Sequence, residues 1–370
     1  MPRYAGGVFT VVVAPDSFKG SLSALEVAEA IAEGWRSVRP ADELLLMPQA
    51  DGGEGTIDAI EASVPGAVRR AAGSVTGPDG RRTPGRWLEL PDGTAVVELA
   101  QSSGLPLMRT LDPLRATTRG LGEVIRAALD AGATSIVIGL GGSASTDGGA
   151  GALAALGLLL IDEQGELIAD GGAELTNIVD VKFGDLRPAP PGGVTLLTDV
   201  TAPLLGPTGA AAVFGPQKGA TPEQVEQLES ALSHFSDLLG GDRTLPGTGA
   251  AGGTGYGFSA AWGATIISGA DRLAELSGAH ETIARADVLL TGEGRFDDQS
   301  LTGKVVGQLL ALAGKYGVRT GVIAGQVTAE TDVWTASLLD LAGSVEAAMA
   351  DTADWLRVAG ARAARSMTKY

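Results

Sequence analysis

Short apolar runs alternate with amphipathic helical patterns along most of this chain, and this alternation is typical of an α/β fold. The runs are rich in β-branched residues, which favours strands buried on both faces of a parallel sheet. Strands are predicted at residues 11–14, 43–47, 94–98, 135–139, 195–197, 287–290 and 318–324. Helices are predicted at residues 122–131, 151–160, 222–239, 304–316 and 353–367.

Between residues 68 and 113 the pattern changes from this alternation to strands separated by tight turns. Pro-Asp-Gly turns at residues 78–80 and 91–93 indicate hairpins. With 370 residues, of which 44% are hydrophobic, the chain is long enough for about two domains with packed cores. The change of pattern therefore indicates the start of an inserted second domain.

Charge and cysteine content narrow the class of protein. A net charge of −17 repels nucleic acid and anionic membrane surfaces, so we expect neither as a partner. No apolar run approaches the roughly 20 residues of a membrane span, and no signal-peptide pattern is seen. The absence of cysteine excludes disulfides and thiolate metal sites. We expect a cytoplasmic protein, and the sequence does not predict its oligomeric state.

The first polar loop follows the strand at residues 11–14 and carries Asp16, Ser17 and Lys19. Ser23 and Glu26 then fit a capping box at the start of a helix. The loop therefore lies at the carboxyl end of a strand and faces a helix N-terminus, where open α/β sheets bind ligands. Two interpretations remain open at this point, a solvated loop and a ligand site.

A second polar loop, "ADGGEGT", follows the next predicted strand. Asp51 and Glu54 flank two glycines, and paired hard oxygen ligands on a tight turn suit Mg²⁺. A turn that only caps the following helix is the alternative.

The third loop is "GLGGSASTDGGAGALAALG". Gly139, Gly141 and Ala144 match the dinucleotide-binding pattern G-x-G-x-x-A, and Asp162 lies about 20 residues further on. The match is weak because further glycines fall where the Rossmann helix should already be formed. A longer loop rich in backbone N–H groups and hydroxyls better suits a phosphate.

Two further loops carry charged residues. The segment 198–220 contains Asp199 at a strand end and Lys218 in a loop flanked by glycine and proline residues. The segment 289–310 resembles the end of a P-loop but lacks its first glycine and its Ser/Thr. A glycine-rich stretch at residues 245–264 is interpreted as a functional loop.

The residue types of these loops favour phosphoryl transfer. The chain has two histidines and no cysteine, so acid–base work falls to Asp, Glu or Lys. Lysine, arginine, carboxylates and glycine-rich loops supply the positioning and charge neutralisation that phosphoryl transfer requires.

The motifs together resemble those of the type I glycerate kinase family, the bacterial glycerate 2-kinases. The matching stretches are "APDSFKGSLSA", "ADGGEGT", "GLGGSASTDGGAGALAALG", "DVTAPLLGPTGAAAVFGPQKGA", "GAAGGTGYG" and "TGEGRFDDQSLTGK". The resemblance implies ATP-dependent, Mg²⁺-dependent phosphorylation of D-glycerate to 2-phosphoglycerate. It also implies a flavodoxin-like three-layer domain with a parallel sheet at residues 1–66 and 286–370, and an inserted mixed α/β domain at 67–285. The active site is expected in the cleft between the two domains.

Site residues are assigned on these motifs. Catalytic roles are expected for Asp16, Lys19 and Asp199. Substrate contacts are expected from Ser17, Arg295, Asp297 and Ser300. Nucleotide contacts are expected from Gly141, Gly142, Ser143, Asp147 and Lys304, and metal contacts from Asp51 and Glu54.

Three departures from the family pattern concern substrate contacts. Thr146 and Ala202 stand where the family often has Asn, and the loop "AGQVTAE" lacks the expected serine. A kinase for another small hydroxy acid therefore stays open as a second reading of the sequence, because one group in a pocket changes preference by only about 1–3 kcal/mol. A nicotinamide-dependent oxidoreductase and a binding protein without catalytic activity stay open as well.

Overall fold

The structure is a computed structural model, and it describes residues 7–301 and 305–368. Contacts within the chain divide it into two compact units. The first unit comprises Met1–Asp51, Asp58–Pro65 and Ala270–Tyr370, and the second comprises Gly52–Ile57 and Gly66–Gly269. Residues 270–285, predicted to belong to the inserted domain, thus group with the first unit.

The strands are β1 (Thr10–Pro15), β2 (Glu43–Leu46), β3 (Val68–Thr76), β4 (Arg82–Glu89), β5 (Thr94–Glu98), β6 (Ser135–Gly139), β7 (Leu159–Ile161), β8 (Asp180–Lys182), β9 (Val194–Leu197), β10 (Thr265–Ile267), β11 (Val288–Gly292), β12 (Arg295–Phe296), β13 (Arg319–Ala324), β14 (Gln326–Val327) and β15 (Trp334–Ser337).

The helices are α1 (Ala24–Arg36), α2 (Thr56–Ser63), α3 (Leu99–Ser103), α4 (Arg119–Asp130), α5 (Ala150–Ala155), α6 (Ala210–Phe214), α7 (Pro222–Leu239), α8 (Ala250–Trp262), α9 (Gly269–Leu276), α10 (Ala279–Ala284), α11 (Val305–Tyr316), α12 (Leu338–Ala342), α13 (Val345–Ala350) and α14 (Thr352–Met367). None of the helices within the described ranges has the length and apolar character that a membrane span requires.

The first unit is a three-layer sandwich around a parallel sheet with the order β15-β13-β11-β1-β2. Along β1, Val11 and Val13 pack into a core with α1 and α14, whereas Val12 and Ala14 pack into a core with residues of α9, α10 and α11. A buried strand needs apolar residues at every position because both of its faces are covered by helices. This strand order is that of flavodoxin-like folds, which confirms the predicted class of this unit.

Helix α1 begins as the sequence predicts. The Ser23 hydroxyl accepts the Glu26 N–H at 3.3 Å, and the Glu26 carboxylate accepts the Ser23 N–H at 2.8 Å. Helix α1 packs closely on α14, because Gly34 and Gly360 have no side chains and let the two helix backbones approach each other. A Cβ at Gly360 would lie 2.2 Å from the Ile31 carbonyl oxygen. This pairing joins the two ends of the chain in one layer.

The second unit contains a mixed sheet with the order β10-β9-β6-β5-β4-β3. The pairs β3–β4 and β4–β5 are antiparallel, which confirms both predicted hairpins, and the remaining pairs are parallel. Its core joins residues of β5, β6 and β9 to residues of α4, α5, α7 and α8. The predicted fold class, one flavodoxin-like and one mixed α/β domain, is confirmed.

The prediction of a helix over residues 151–160 is wrong beyond residue 155. Helix α5 ends at Ala155, and residues 159–161 form strand β7. The reason is Gly157, whose φ of +105° lies outside the helical region. Gly157 also packs tightly on residue 185, since a Cβ at Gly157 would lie 2.1 Å from the Asp185 carbonyl oxygen. Apolar periodicity alone does not reveal such a break.

Replacement of Gly360 by alanine tests the close packing of α1 on α14. We expect Gly360→Ala to lower the free energy of unfolding by about 1–3 kcal/mol, because the added methyl group overlaps the Ile31 carbonyl and forces the helices apart. The matched control is Gly314→Ala in α11, where nothing lies within 4 Å of the added Cβ. The control should be neutral or stabilising by up to about 1 kcal/mol. Urea denaturation of both variants measures the difference, and equal effects would contradict the assignment.

Candidate functional site

The parallel sheet of the first unit has one point where successive connections leave in opposite directions. Strand β1 continues through α1 to β2, whereas its neighbour β11 continues through α11 to β13 on the other side. Ligands of open α/β sheets bind at the carboxyl ends of the strands at such a point. The residues found there are Asp16 after β1 and Glu293 after β11, and the Asp16 N–H donates to the Gly292 carbonyl at 2.8 Å.

Asp16 is a half-buried carboxyl group with an altered acidity. Its Oδ1 accepts the Ser17 N–H at 2.6 Å. Burial and the nearby carboxylates of Asp51 and Glu293 raise the pKa of Asp16 to about 7, although the Ser17 N–H and the Lys19 ammonium oppose the shift. A carboxyl group with a pKa near neutrality suits proton transfer at physiological pH.

Lys19 and Asp51 form an ion pair at the same edge, with Nζ and Oδ2 3.4 Å apart. The Lys19 side chain is 68% exposed and that of Asp51 39% exposed. Exposed pairs of this kind contribute at most about 1 kcal/mol to folding. The pair therefore leaves the Lys19 ammonium accessible to a ligand, and it does little for stability.

The donors at this edge fit a Mg²⁺ ion that arrives with phosphate ligands. Within the described ranges, no group of three His, Asp or Glu side chains is arranged to hold a metal. Mg²⁺ typically uses one or two protein carboxylates, and substrate phosphates and waters complete its octahedron. Asp51 provides such a carboxylate beside Asp16, and Glu54 is exposed in the second unit.

The loop after β11 is paired with the loop after β13. Strand β12 lies parallel to β14, with Arg295 opposite Gln326. The unusual "AGQVTAE" segment thus fixes the backbone that carries Arg295. The Arg295 side chain is 65% exposed, and its Nε lies 3.6 Å from Asp297. Its guanidinium is therefore open to an anionic ligand.

Asp297 and Ser300 contact each other in this loop. The Asp297 N–H donates to Ser300 Oγ at 3.1 Å, and the Ser300 N–H donates to Asp297 Oδ1 at 3.3 Å. Ser300 is fully buried, so its observed contacts shape the turn. Substrate contacts of both residues stay predictions. Lys304, expected at the nucleotide, lies outside the described residues.

In the second unit, the loop after β6 is built on close contacts between backbones. The Gly141 N–H donates to the Gly52 carbonyl at 3.3 Å, and a Cβ at Gly141 would lie 2.4 Å from the Gly53 Cα. Gly142 has a φ of +77° and is exposed, and Ser143 is half-buried. The glycines of the G-x-G-x-x-A match are therefore required by this packing, whatever the loop binds.

Asp147 fixes the end of this loop from inside the unit. It is fully buried, and its Oδ2 accepts the Thr118 N–H at 2.9 Å, the Thr118 hydroxyl at 2.8 Å and the Gly151 N–H at 3.3 Å. Oδ1 accepts the Gly149 N–H at 3.3 Å. Burial raises the pKa of Asp147 against these donors. Its observed partners are all protein groups, and its nucleotide contact stays a prediction.

The glycine-rich segment at residues 245–264 packs against the same loop. Gly252 lies so close that a Cβ there would be 2.1 Å from the Ser145 carbonyl oxygen, and a Cβ at Gly257 would be 2.2 Å from the Gly148 carbonyl oxygen. Ala251 has a φ of +53°, which is uncommon for a residue with a Cβ. The segment, expected to be a functional loop, thus has a structural role as the support of the loop after β6.

Two of the three departures from the family pattern, Thr146 and Ala202, lie in this unit. Thr146 is fully buried, and its hydroxyl has no hydrogen-bond partner among the described residues. Ala202 contributes its carbonyl, which accepts the Gly249 N–H at 2.9 Å. Asp199, expected to be catalytic, is half-buried, and its Oδ1 accepts the Gly269 N–H at 3.1 Å.

Lys218 is not among the site residues predicted from the sequence. Its side chain is 2% exposed, and its Nζ donates to Ser143 Oγ at 2.9 Å and to the Ser145 carbonyl. The sequence shows only a lysine in a loop that contains glycine and proline. Burial of the side chain was the missing information, and no local pattern encodes it.

Two buried threonines provide a matched test of the loop. We expect Thr146→Val to leave the free energy of unfolding unchanged or to raise it by up to about 1 kcal/mol, because a buried hydroxyl without a partner is removed. Thr118→Val should lower it by about 1–3 kcal/mol, because Asp147 and the Ala152 N–H lose a partner. Urea titrations of both variants measure this. A larger loss for Thr146→Val than for Thr118→Val would be inconsistent with these contacts.

Comparison with known proteins agrees with the motifs. The sequence model of the glycerate kinase family matches residues 11–368. The glycerate 2-kinase of Escherichia coli K12 is 42% identical over 332 residues, which cover 87% of each chain. The glycerate kinase of Bacillus subtilis 168 is 41% identical and covers 87% of this chain and 86% of its own. A crystal structure from Salmonella typhimurium LT2, of a protein assigned as glycerate kinase 2, is 36% identical, with a TM-score of 0.80 and coverage of 97% and 98%. The family predicted from the motifs is confirmed, and the chain belongs to the glycerate kinase family.

Proposed function

We propose that this protein is an ATP-dependent kinase that phosphorylates D-glycerate and that the product is 2-phosphoglycerate. Family membership and the names of the relatives support a glycerate kinase. The observation that carries the proposal furthest is the placement of Asp16 and Lys19 at the carboxyl edge of the flavodoxin-like sheet. A proton acceptor and an accessible ammonium there are what a phosphoryl transfer to a hydroxyl needs.

Asp16 is the base in this proposal. The hydroxyl oxygen of glycerate attacks the γ-phosphorus of ATP, the bond from that phosphorus to the bridging oxygen of ADP breaks, and the hydroxyl proton passes to Asp16. A pKa of about 7 keeps a large fraction of Asp16 ionised at neutral pH and still allows it to hold the proton. Asp199 is the rival candidate, but its Oδ1 already accepts a backbone N–H.

Cations at the same edge offset the negative charge of the reactants. We assign Lys19 to the transferring phosphoryl group, because its ammonium is exposed beside Asp16. Mg²⁺ bound with ATP supplies charge neutralisation and orients the phosphates. Asp51 is the residue proposed to hold it, directly or through water, and the metal contact of Glu54 stays a prediction.

The substrate carboxylate is assigned to Arg295. Its exposed guanidinium is held on the β12–β14 pair and offers a planar set of donors suited to a carboxylate. The Ser17 hydroxyl, next to Asp16, is proposed to contact the hydroxyl groups of glycerate. A kinase for another small hydroxy acid uses the same groups. The oxidoreductase interpretation loses its support, because packing against Gly53 accounts for the glycine at residue 141.

The position of the new phosphate is the first test of the function. We expect purified protein with ATP, Mg²⁺ and D-glycerate to give a signal when it is coupled directly to enolase, because 2-phosphoglycerate is the substrate of enolase. Addition of phosphoglycerate mutase should not increase the rate. A signal that appears only with the mutase would identify the 3-phosphate, and no ADP formation with glycerate would contradict the kinase assignment.

Asp16→Asn tests the base through pH. In the wild type, kcat/KM should rise about tenfold per pH unit up to about pH 7 and then level, since only the carboxylate accepts the proton. The variant should lose about 10²-fold or more in kcat and lose this limb of the profile. The folded-state pKa of Asp16 lies above the unfolded value, so the ionised carboxyl destabilises the native state at high pH. The variant should therefore melt higher than the wild type at pH 8 but not at pH 3.

Lys19→Met tests a second residue at the carboxyl edge of the flavodoxin-like sheet and is compared with Asp16→Asn. A role at the phosphoryl group predicts a loss of about 10²-fold in kcat with an unchanged melting temperature, because the exposed pair with Asp51 contributes little to stability. Near wild-type kcat for Lys19→Met would remove this lysine from the site. An unchanged pH profile for Asp16→Asn would transfer the role of base to Asp199.

A further inference from the structure

Lys218 is a buried ammonium group without a carboxylate partner in the part of the chain that the structure describes. Its Nζ donates to one hydroxyl, Ser143 Oγ, and to one carbonyl, that of Ser145. A buried charge is costly unless a counter-charge lies beside it. Burial accordingly lowers the pKa of Lys218 to about 7. The lysine is therefore either neutral, or it is charged and stabilised by a bound anion.

The charged group that acts on Lys218 is Asp147. Its carboxylate opposes the fall in the pKa of the lysine but does not prevent it. Both oxygens of Asp147 are occupied by donors from Thr118, Gly149 and Gly151. Asp147 therefore holds the loop and leaves the ammonium without a direct ionic contact.

The loop beside Lys218 contains a run of backbone N–H groups without protein acceptors. Within residues 7–301 and 305–368, the N–H groups of Gly142, Ser145, Thr146 and Asp147 show no hydrogen bond to a protein acceptor. The neighbouring N–H groups of Gly141, Ala144 and Gly148 all have acceptors. The buried hydroxyls of Ser145 and Thr146 also lack partners in these described ranges. Ser145, Thr146 and Asp147 are fully buried. Because buried N–H groups are nearly always satisfied, an acceptor from outside the chain is indicated for these three.

We propose that residues 142–147 and Lys218 form the binding site for the phosphate groups of the nucleotide, and that Lys218 takes up a proton from solvent when this anion binds. The identification of the anion as a nucleotide rests on the proposed function. Four N–H groups, the two hydroxyls and the Lys218 ammonium together exceed the roughly four hydrogen bonds that a carboxylate accepts, whereas a polyphosphate has enough oxygens.

The hydrogen bond from Lys218 to Ser143 determines which way the Ser143 hydroxyl group donates. Because Ser143 Oγ accepts a hydrogen bond from the ammonium, its own proton points elsewhere and is free for an anion. Ser143 is half-buried and Gly142 is exposed, so a ligand reaches the loop from this side. Lys218 thus acts as the counter-charge behind the hydroxyl.

Calorimetry with ADP tests the proposal. ADP binding is measured at pH 6 and pH 8 in buffers of different ionisation enthalpy, for the wild type and for Lys218→Met. We expect the wild type to take up about one more proton than the variant at pH 8, and almost none more at pH 6, because the free lysine is then already charged. The variant should bind ADP at least tenfold more weakly at pH 6.

Stability separates this role from a structural one. Lys218→Met removes a buried amine, so the ligand-free variant should melt at the same temperature as the wild type or higher. Lys182→Met is the matched control, because it removes an exposed lysine of the same unit that pairs with Asp180 at 3.7 Å. The control should change neither affinity nor proton uptake. Ser143→Ala, which keeps the lysine, should weaken ADP binding about fivefold and retain the proton uptake.

The outcomes distinguish the two proposals. Equal ADP affinity and equal proton uptake in the wild type and Lys218→Met would overturn the anion site, even if glycerate kinase activity is present. A lower melting temperature of the variant with unchanged proton uptake would also overturn it. Lysine-dependent proton uptake with inorganic pyrophosphate, in a protein that forms no ADP from ATP and glycerate, would leave the anion site standing and overturn the proposed function.

Discussion

Direct contact between backbones, with no side chain between them, is the constraint on which the loop after β6 depends. Gly141 lies against Gly53, and Gly252 lies against Ser145, at separations that a Cβ would make impossible. The supporting segment even bends through a positive φ at Ala251 to reach the loop. Such packing holds the backbone of residues 142–147 in one shape. A fixed shape allows several of its N–H groups to stay without acceptors among the described residues, because a flexible loop would turn them toward its own carbonyls.

Two ionisable side chains have pKa values far from their ordinary ones. The chain carries a net charge of −17, yet the groups with strongly shifted acidity include a carboxyl group and a lysine. Burial and neighbouring carboxylates raise the pKa of Asp16 to about 7, and burial lowers that of Lys218 to about 7. In both cases the charged form is disfavoured in the protein alone. A cation would stabilise the charged form of the first group and an anion that of the second, and the proposed reaction with Mg²⁺ and ATP would bring both.

The sequence predicted the fold well, because strand burial and helix caps are local signals. Strands β5 and β6 and helix α7 have the predicted bounds, and Ser23 caps α1 as expected. Helix α5 was predicted too long because the turn at Gly157 depends on a contact with Asp185, which is distant in sequence. The same limit applies to the site. Asp16 and Lys19 could be predicted as site residues because they closely follow a strand. The burial of Lys218, and the lack of a partner for the Thr146 hydroxyl among the described residues, arise from tertiary packing.

The chemistry of the two candidate sites differs in a way that their proposed roles explain. A proton acceptor has to titrate near the working pH, so it must be a side chain whose surroundings shift its pKa, as those of Asp16 do. A phosphate cradle has the opposite requirement, because its donors must be present at every pH. Backbone N–H groups satisfy it, since they never lose their protons in water. Backbone N–H groups of glycine-rich loops therefore suit phosphate binding, whereas ionisable side chains suit proton transfer. A chain that transfers phosphoryl groups without histidine or cysteine chemistry needs both kinds of loop.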